Sequence, residues 1–138
     1  MGLDVGDKRI GISLSDPLRI TAQGIETFNR LADEAADIEY ISALAKKNDV
    51  EFFVCGLPKN MNGTIGPQAE KVMAFAEALS AKSGIEVRFY DERLTTVMVE
   101  RTLIEADMSR AKRRKVVDKL ASVAILQGYL DNTGLKGF

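Results

Sequence analysis

The chain has 138 residues, a formal net charge of −1, no histidine and one cysteine. The absence of histidine excludes imidazole acid–base catalysis, a Ser-His-Asp triad and histidine-based zinc sites. Carboxylates remain as metal-binding side chains, and they favour hard cations such as Mg²⁺ or Mn²⁺. The lone Cys55 allows no disulfide within the chain, and no apolar run reaches the ~18 residues of a membrane span. We therefore expect one soluble domain, residues 1–138, in the reducing cytoplasm.

The first residues predict a β-hairpin with a carboxylate in its first strand. Residues 2–5 and 9–15 are apolar or alternate in polarity, and a turn over residues 6–8 separates them. Asp4 lies in the first of these strands. An unpaired buried carboxylate costs several kcal/mol, so Asp4 either starts a turn or faces a metal ion or a phosphate.

The rest of the chain predicts a mixed sheet with helices on its faces. A third strand over 20–28, with Gly24 at a bulge, precedes a change from strand to helix periodicity. The elements predicted after it are a helix over 36–47, a strand over 50–55, a loop over 57–66, a helix over 68–81, a strand over 85–90, a helix from Thr95 or Thr96 to Ala106 and a helix over 116–130. Early hairpins followed by alternating strands and helices are typical of an α/β domain.

Two further acidic positions follow elements of this pattern. Asp91 and Glu92 come directly after the strand over 85–90, at the end where open sheets hold their ligands. Neighbouring strand residues point to opposite faces, so only one of the two can share a site with Asp4. Asp118 lies on the small face of the last helix, above Ser122. It is either a solvated first-turn residue or a ligand directed at the sheet.

A cluster of basic residues precedes the last helix. Six bases occur between residues 110 and 119, with Asp118 as the only acid. The six are Arg110, Lys112, Arg113, Arg114, Lys115 and Lys119. A charge run often only faces water, but beside a carboxylate site it favours a polyanionic partner such as nucleic acid.

Four motifs, spread over nearly the whole chain, resemble the bacterial YqgF or RuvX family. They are Gly-Leu-Asp-Val-Gly-Asp-Lys-Arg-Ile-Gly-Ile-Ser-Leu-Ser-Asp (2–16), Gly-Leu-Pro-Lys-Asn-Met-Asn-Gly-Thr (56–64), Asp-Glu-Arg-Leu-Thr-Thr (91–96) and Asp-Lys-Leu-Ala-Ser-Val-Ala-Ile-Leu-Gln-Gly-Tyr-Leu (118–130). The resemblance implies a ribonuclease H-like fold and a nuclease that resolves Holliday junctions or processes pre-16S ribosomal RNA.

The resemblance also implies catalytic carboxylates at Asp4, at the Asp91 and Glu92 pair and at Asp118. The first strand is shorter than is usual in the family, which leaves its pairing along both edges open. In the related RuvC resolvases the second carboxylate ends the preceding strand, but here that strand runs into Gly56. The equivalent acid therefore lies one strand further along, and we expect Glu92 to be the ligand because its longer side chain can reach inward.

The predicted chemistry is hydrolysis of a phosphodiester at a two-metal site. Two Mg²⁺ or Mn²⁺ ions, about 4 Å apart, would be held by Asp4, Glu92 and Asp118. Substrate phosphates would be contacted by Lys8, Arg9, Lys59, Asn60, Arg93, Thr95, Arg113, Arg114 and Lys115. A basic surface suits a DNA junction and a ribosomal RNA precursor equally, because both are bound largely through phosphates and shape. A junction resolvase would be a homodimer with two sites, whereas an RNA-trimming enzyme can act as a monomer.

Two other classes of protein fit parts of the sequence. The Asp4-Val5-Gly6 hairpin also suits the Mg²⁺-phosphate site of an actin-like or sugar-kinase-like ATPase. Such ATPases pair two related halves, and no second Asp-x-Gly hairpin is present. A non-catalytic RNA-binding factor in ribosome assembly would keep the carboxylates for folding alone.

Overall fold

The computed structural model describes residues 1–91 and 110–136, and in the last helix it describes side chains over 118–132. The elements are β1 (Gly2–Val5), β2 (Arg9–Ser15), β3 (Ala22–Asn29), α1 (Glu34–Lys47), β4 (Phe52–Leu57), α2 (Pro67–Ser83), β5 (Glu86–Asp91) and α3 (Arg110–Lys136). Three hairpin strands are followed by strands that alternate with helices. The predicted α/β organisation is therefore confirmed.

The strands form one five-stranded sheet in the order β3-β2-β1-β4-β5. The pairs β1–β2 and β2–β3 are antiparallel, whereas β1–β4 and β4–β5 are parallel. The short first strand is thus hydrogen-bonded along both of its edges. Because β1, β4 and β5 run in the same direction, their carboxyl ends lie at one edge of the sheet, where sheets of this kind hold ligands.

Helices cover both faces of the sheet, as the sequence predicts. Alternate residues of a strand point to opposite faces, so a central strand can bury side chains on both. On one face Leu3 packs in a cluster that includes Ile41 of α1 and Phe75 of α2. On the other face Val54 of β4 packs with Leu126 of α3. Each such burial contributes roughly 1.5–3 kcal/mol, so the two layers hold the sheet between them.

The third strand starts at Ala22 rather than at residue 20, because the preceding residues form a turn. The Asp16 Oδ1 atom accepts hydrogen bonds from the backbone N–H groups of Ile20, at 2.7 Å, and Thr21, at 2.9 Å. These bonds, chiefly the one from Thr21, hold the pKa of Asp16 below its ordinary value. Because the Asp16 side chain already accepts from these N–H groups, they do not pair with β2, and the strand begins at the residue after them.

The bulge predicted at Gly24 is confirmed. Ser13 pairs with Gly24, while the adjacent Ile12 pairs with Glu26, so β3 carries one extra residue at Ile25. A bulge of this kind bends the strand locally. Here it lies on the part of β3 that passes beneath α3.

The remaining boundaries differ from the prediction by a few residues, except in the last helix. α3 begins at Arg110 instead of residue 116, so the basic run is part of the helix itself. β4 begins at Phe52 instead of residue 50, because the Val50 N–H donates to the Ala45 carbonyl at the end of α1. The helix predicted from Thr95 or Thr96 to residue 106 lies outside the described residues. Among the helices that the structure describes, none is long and apolar enough to cross a bilayer.

A buried ion pair fastens the first hairpin to α1. Asp37 is 1% exposed, and its Oδ2 atom accepts from the Arg30 Nε at 3.0 Å. The Arg30 Nη1 donates to the Gly6 carbonyl at 3.0 Å, and the Arg30 backbone N–H donates to the Lys8 carbonyl at 2.9 Å. The guanidinium also lies 5.2 Å from the centre of the Phe75 ring. Arg30 therefore holds the turn between β1 and β2 in place from the side of the sheet that α1 and α2 cover.

Replacing Asp37 with alanine should lower the free energy of unfolding by about 3 kcal/mol, because it leaves a largely buried arginine without its partner. Urea denaturation would measure the loss. The matched control is Glu34→Ala, since Glu34 lies 3.6 Å from the same arginine but is 57% exposed. We expect the control to change stability by less than ~1 kcal/mol. Equal losses in the two variants would contradict the anchoring role of Asp37.

Candidate active site

Asp4 lies in the central strand, on the face of the sheet that α3 covers. It is half-buried and directly opposite Gly11 in the antiparallel β1–β2 pair. Opposed residues in such a pair point to the same face. The neighbours Leu3 and Val5 belong to the cluster under α1 and α2, so their side chains point the other way. A carboxylate therefore stands among small residues near the carboxyl end of β1.

Small residues on the strands let α3 approach the sheet closely. A Cβ atom on Gly11 would lie 1.8 Å from the Asp118 carbonyl oxygen. A Cβ atom on Gly2 would lie 2.8 Å from the Ser122 carbonyl oxygen, which also accepts a hydrogen bond of 2.8 Å from the Ser13 hydroxyl. The helix backbone thus rests on the sheet backbone at Gly11. This contact places Asp118 beside the strand residue that faces Asp4.

The Asp118 side chain is directed at the sheet, and its partner is Arg9. The Arg9 Nε atom donates to the Asp118 Oδ2 atom at 2.6 Å, a short charge-assisted hydrogen bond. The side chains of Arg9 and Asp118 are 27% and 21% exposed. Because α3 begins at Arg110, Asp118 lies about two turns inside the helix. The interpretation of Asp118 as a solvated first-turn residue is therefore wrong.

Asp91 ends β5 on the opposite face of the sheet from Asp4. It pairs with Leu57 in the parallel β4–β5 register, and Leu57 belongs to the cluster under α1 and α2. Tyr90, one residue earlier, faces α3, where its hydroxyl would lie 2.6 Å from a Cβ atom on Gly128. The alternation of the strand thus assigns Asp91 to the α1 and α2 side. Glu92 lies outside the described residues.

The described part of the chain contains no cluster of three acidic, histidine or cysteine side chains that could hold a metal ion. Asp4 and Asp118 lie on the same face, at the same pair of strands, whereas Asp91 does not join them. The set of three ligands predicted from the sequence therefore needs Glu92, beyond the end of β5.

The predicted phosphate contacts lie around this edge of the sheet where they are described. Lys8 is exposed in the β1–β2 turn, and Lys59 is half-buried after β4. The Asn60 side chain donates to the Thr64 hydroxyl at 3.0 Å, which ties the loop after β4 to itself. Two of the predicted residues, Arg93 and Thr95, lie outside the described part. The side chains of Arg113, Arg114 and Lys115 are also not described, although their backbone is helical.

Sequence reasoning missed two features that build this site. One is the close approach of α3 to the sheet at Gly11. The other is the ion pair between Asp118 and Arg9, which was predicted only as a phosphate contact. A signal for the first was present, since Gly2, Gly11 and Ser13 are small residues in facing strands. The second joins residues 109 positions apart and left no local signal.

Comparison with solved structures identifies the fold. The chain matches Thermus thermophilus RuvC in complex with a Holliday junction with a TM-score of 0.52, at 16% identity, over 96% of this chain and 94% of the other. It matches the fowlpox virus resolvase in complex with Holliday junction DNA with a TM-score of 0.54, at 13% identity, over 96% of each chain. The mixed sheet with helices on both faces is thus the ribonuclease H-like fold of RuvC-like resolvases.

The sequence gives a narrower assignment within that class. The model of the RuvX family, described as Holliday junction resolvase, matches residues 1–132, so the chain belongs to this family. A relative from Clostridioides difficile is 58% identical over 131 residues, covering 95% of this chain and 92% of its own. One from Clostridium kluyveri is 55% identical, covering 95% of both chains. Both are named "Putative pre-16S rRNA nuclease". Family and relatives are thus described as nucleases, which supports the nuclease prediction over the ATPase alternative.

Proposed function

We propose that the protein is a metal-dependent endonuclease that hydrolyses phosphodiester bonds in structured nucleic acid. The observation that carries the proposal is the placement of Asp4 and Asp118 on one face, at neighbouring strands, where α3 rests on Gly11. Carboxylates that share one face at the carboxyl end of a central strand are a suitable donor set for a divalent cation. Membership of the RuvX family supports the same conclusion.

The donor set suits a hard divalent cation. Asp4, Asp118 and Glu92 supply only carboxylate oxygens, which Mg²⁺ and Mn²⁺ prefer. A positive group, the Arg9 guanidinium, already lies against Asp118 at 2.6 Å, so the position is one where a cation is stabilised. When bound there, such ions activate water as the nucleophile and stabilise the leaving oxygen. We propose Asp4, Glu92 and Asp118 as the ligands.

The other residues of the site bind and orient the substrate. Lys8 is exposed on the turn that follows Asp4, and Lys59 lies in the loop after β4, at the same edge of the sheet. Both can contact phosphates on either side of the scissile bond. Arg93 and Thr95 are proposed for the same role because they lie within three residues of Glu92 in the same motif. The chain has no histidine and therefore no imidazole to deprotonate water. The proposed role of its carboxylates is to hold the divalent ion that would supply this activation.

We propose the 5′ end of pre-16S ribosomal RNA as the substrate, because relatives that span almost the whole chain carry that name. Resolution of Holliday junctions is the second candidate, favoured by the description of the family and by the junction complexes of the structural neighbours. A symmetric junction has two strands to cut, so this second function would need a homodimer with two sites.

A direct competition decides between the two substrates. The purified protein is given a pre-16S RNA segment and a four-way DNA junction of equal length, each with Mg²⁺ and with Mn²⁺, and kcat/KM is compared. We expect defined cleavage near the 5′ end of the mature 16S sequence and at least tenfold lower kcat/KM on the junction, which corresponds to ~1.4 kcal/mol in transition-state binding. Symmetric cleavage of the junction with the RNA left intact would reverse the assignment.

Of the two neighbouring acids, Glu92 should be the ligand and Asp91 should not. Asp91 belongs to the α1 and α2 face by its pairing with Leu57, the face opposite to that of Asp4, so it is not placed to share a site with Asp4. Glu92→Gln should therefore lower cleavage by about 100-fold or more, by analogy with the 10–100-fold that even outer-shell partners of metal ligands contribute. Asp91→Asn, which makes the same change of charge, should have an effect below tenfold. An inactive Asp91→Asn beside an active Glu92→Gln would contradict this choice.

The basic run at the start of α3 should contribute affinity rather than chemistry. Arg113, Arg114 and Lys115 replaced together by alanine should weaken binding of every nucleic acid, because three phosphate contacts would be lost. The slope of log K against log salt should flatten by about 2–3 units, at ~0.9 per contact. Turnover at saturating substrate should change little, since these contacts exist equally in ground and transition states.

Filter binding at several salt concentrations would measure the slope. The matched control replaces Lys46, Lys47 and Lys82 by alanine, which removes the same charge from the last turns of α1 and α2. Wild-type affinity in the first triple variant, or an equal loss in the control, would show that the run is only a solvated part of the helix.

A further inference from the structure

Arg9 holds one of the carboxylate oxygens that Asp118 would offer to a metal ion. Its Nε lies 2.6 Å from the Asp118 Oδ2, so one of the two carboxylate oxygens is engaged by the guanidinium. Arg9 is two residues from Gly11, on the face of β2 that α3 covers, and Asp4 stands opposite Gly11. The positive group bonded to Asp118 is therefore a side chain of the enzyme itself.

We propose that Arg9 is a stand-in cation, which neutralises Asp118 in the metal-free enzyme and which a divalent ion displaces. This inference rests on the proposed metal-dependent function. On displacement the guanidinium loses its carboxylate and becomes available to a phosphate of the nucleic acid. Arg9 is thus a positioning residue that couples metal binding to substrate binding.

Charge and geometry both support an exchange of this kind. A guanidinium and a divalent cation repel each other, so each weakens the binding of the other at Asp118. The carboxylate is 21% exposed and Arg9 is 27% exposed, which leaves the arginine a route to the solvent. Guanidinium binds phosphate in the same paired geometry as carboxylate, so the released group would find an equivalent partner on the substrate.

The backbone around Arg9 is fixed, so the exchange would involve its side chain alone. The Arg9 carbonyl accepts from the Gly6 N–H at 2.9 Å, which closes the turn. The neighbouring Lys8 carbonyl accepts from the Arg30 N–H at 2.9 Å. Arg9 is also the first paired residue of β2, opposite Asn29 of β3. Rotation of an arginine side chain requires no change in any of these bonds.

Calorimetric titration with Mn²⁺ alone, without nucleic acid, tests the competition. Arg9→Gln should bind Mn²⁺ about fivefold more tightly than the wild type, because the competing cation is gone; fivefold is roughly 1 kcal/mol at 1.4 kcal/mol per factor of ten. Arg9→Lys keeps the charge and should restore a dissociation constant near that of the wild type. Lys8→Gln, a loss of charge at the adjacent exposed position, should change it less than twofold.

Junction binding in EDTA provides the second readout, since no cleavage occurs without metal under the proposed function. The guanidinium held by Asp118 should contribute little to junction binding in EDTA. The fold-increase in the dissociation constant caused by Arg9→Gln should therefore be less than half of that caused by Lys8→Gln. Equal losses would show that Arg9 already faces the substrate and would overturn the coupling.

The titrations distinguish a failure of the proposed metal site from a failure of the proposed role of Arg9. Binding of Mn²⁺ to the wild type, with equal or weaker binding to Arg9→Gln, overturns the role of Arg9 and leaves the metal site intact. No binding of Mn²⁺ to the wild type at millimolar concentrations overturns the metal site, and the stand-in role with it. Circular dichroism of each variant verifies that the fold is retained before these results are compared.

Discussion

Asp4→Asn should lower the cleavage rate by about 100-fold or more while leaving the fold intact. The loss of a metal ligand is expected to exceed the 10–100-fold cost of losing an outer-shell partner. Without metal the variant should be as stable as the wild type or slightly more stable, because one charge is removed from the face that also carries Asp118. Mn²⁺ at 100 times its dissociation constant should stabilise the wild type by about 2.7 kcal/mol and the variant much less. Thermal melts with and without Mn²⁺ would measure both shifts.

The matched control for this substitution is Asp7→Asn, on the same hairpin. Asp7 is exposed and lies 3.7 Å from Lys71, an ion pair on the α1 and α2 side. The control should keep both the cleavage rate and the metal-induced shift within a factor of two or so, since exposed pairs contribute at most ~1 kcal/mol. If Mn²⁺ shifts Asp4→Asn as strongly as the wild type, Asp4 is not part of the metal site.

Gly11→Ala should destabilise the protein by about 3 kcal/mol and lower cleavage by about 100-fold, through one added methyl group. The new Cβ would lie 1.8 Å from the Asp118 carbonyl oxygen, so α3 must move outward. Because Asp118 belongs to the displaced helix, its carboxylate moves away from Asp4. A misplacement of about 1 Å is enough to cost two orders of magnitude in rate.

Gly24→Ala is the control for this second variant. Its Cβ would also lie under α3, 2.5 Å from the Lys119 Cγ, but that atom belongs to a flexible side chain that can rotate. We expect a loss of less than ~1 kcal/mol and a nearly unchanged rate. Urea denaturation and single-turnover cleavage give both quantities for both variants. Comparable losses in the two would mean that the contact of α3 with Gly11 does not position the site.

Local patterns were sufficient to predict most of the fold. The alternation in residues 2–15 predicted the first hairpin, and Gly24 predicted the bulge in β3, because both depend on neighbours in sequence. The period-two argument at the end of β5 allowed only one of Asp91 and Glu92 to share a site with Asp4, and the register of that strand places Asp91 on the other face. The start of β3 was missed because the Asp16 side chain replaced a backbone partner of the residues before it.

The central contacts of the candidate site could not be predicted from the sequence. Arg9 and Asp118 are 109 residues apart, and their pairing depends on where α3 crosses the sheet. The crossing in turn depends on the absence of a side chain at Gly11; the small residues of β1 and β2 indicate a close contact there but not which helix makes it. The anchoring of the turn by Arg30 likewise needs α1 in place, since the buried Asp37 comes from that helix.

The dependence of RNA cleavage on added metal tests the central claim most directly. The purified protein, freed of metal with EDTA, is titrated with Mg²⁺ or Mn²⁺, and the initial rate of cleavage of a pre-16S RNA segment is recorded. We predict no cleavage without metal and a rate that rises to saturation as the ion is added. Cleavage at full rate in EDTA would contradict a metal-dependent site at Asp4 and Asp118. No cleavage with either ion, of this RNA or of a DNA junction, would instead indicate a non-catalytic nucleic-acid-binding protein.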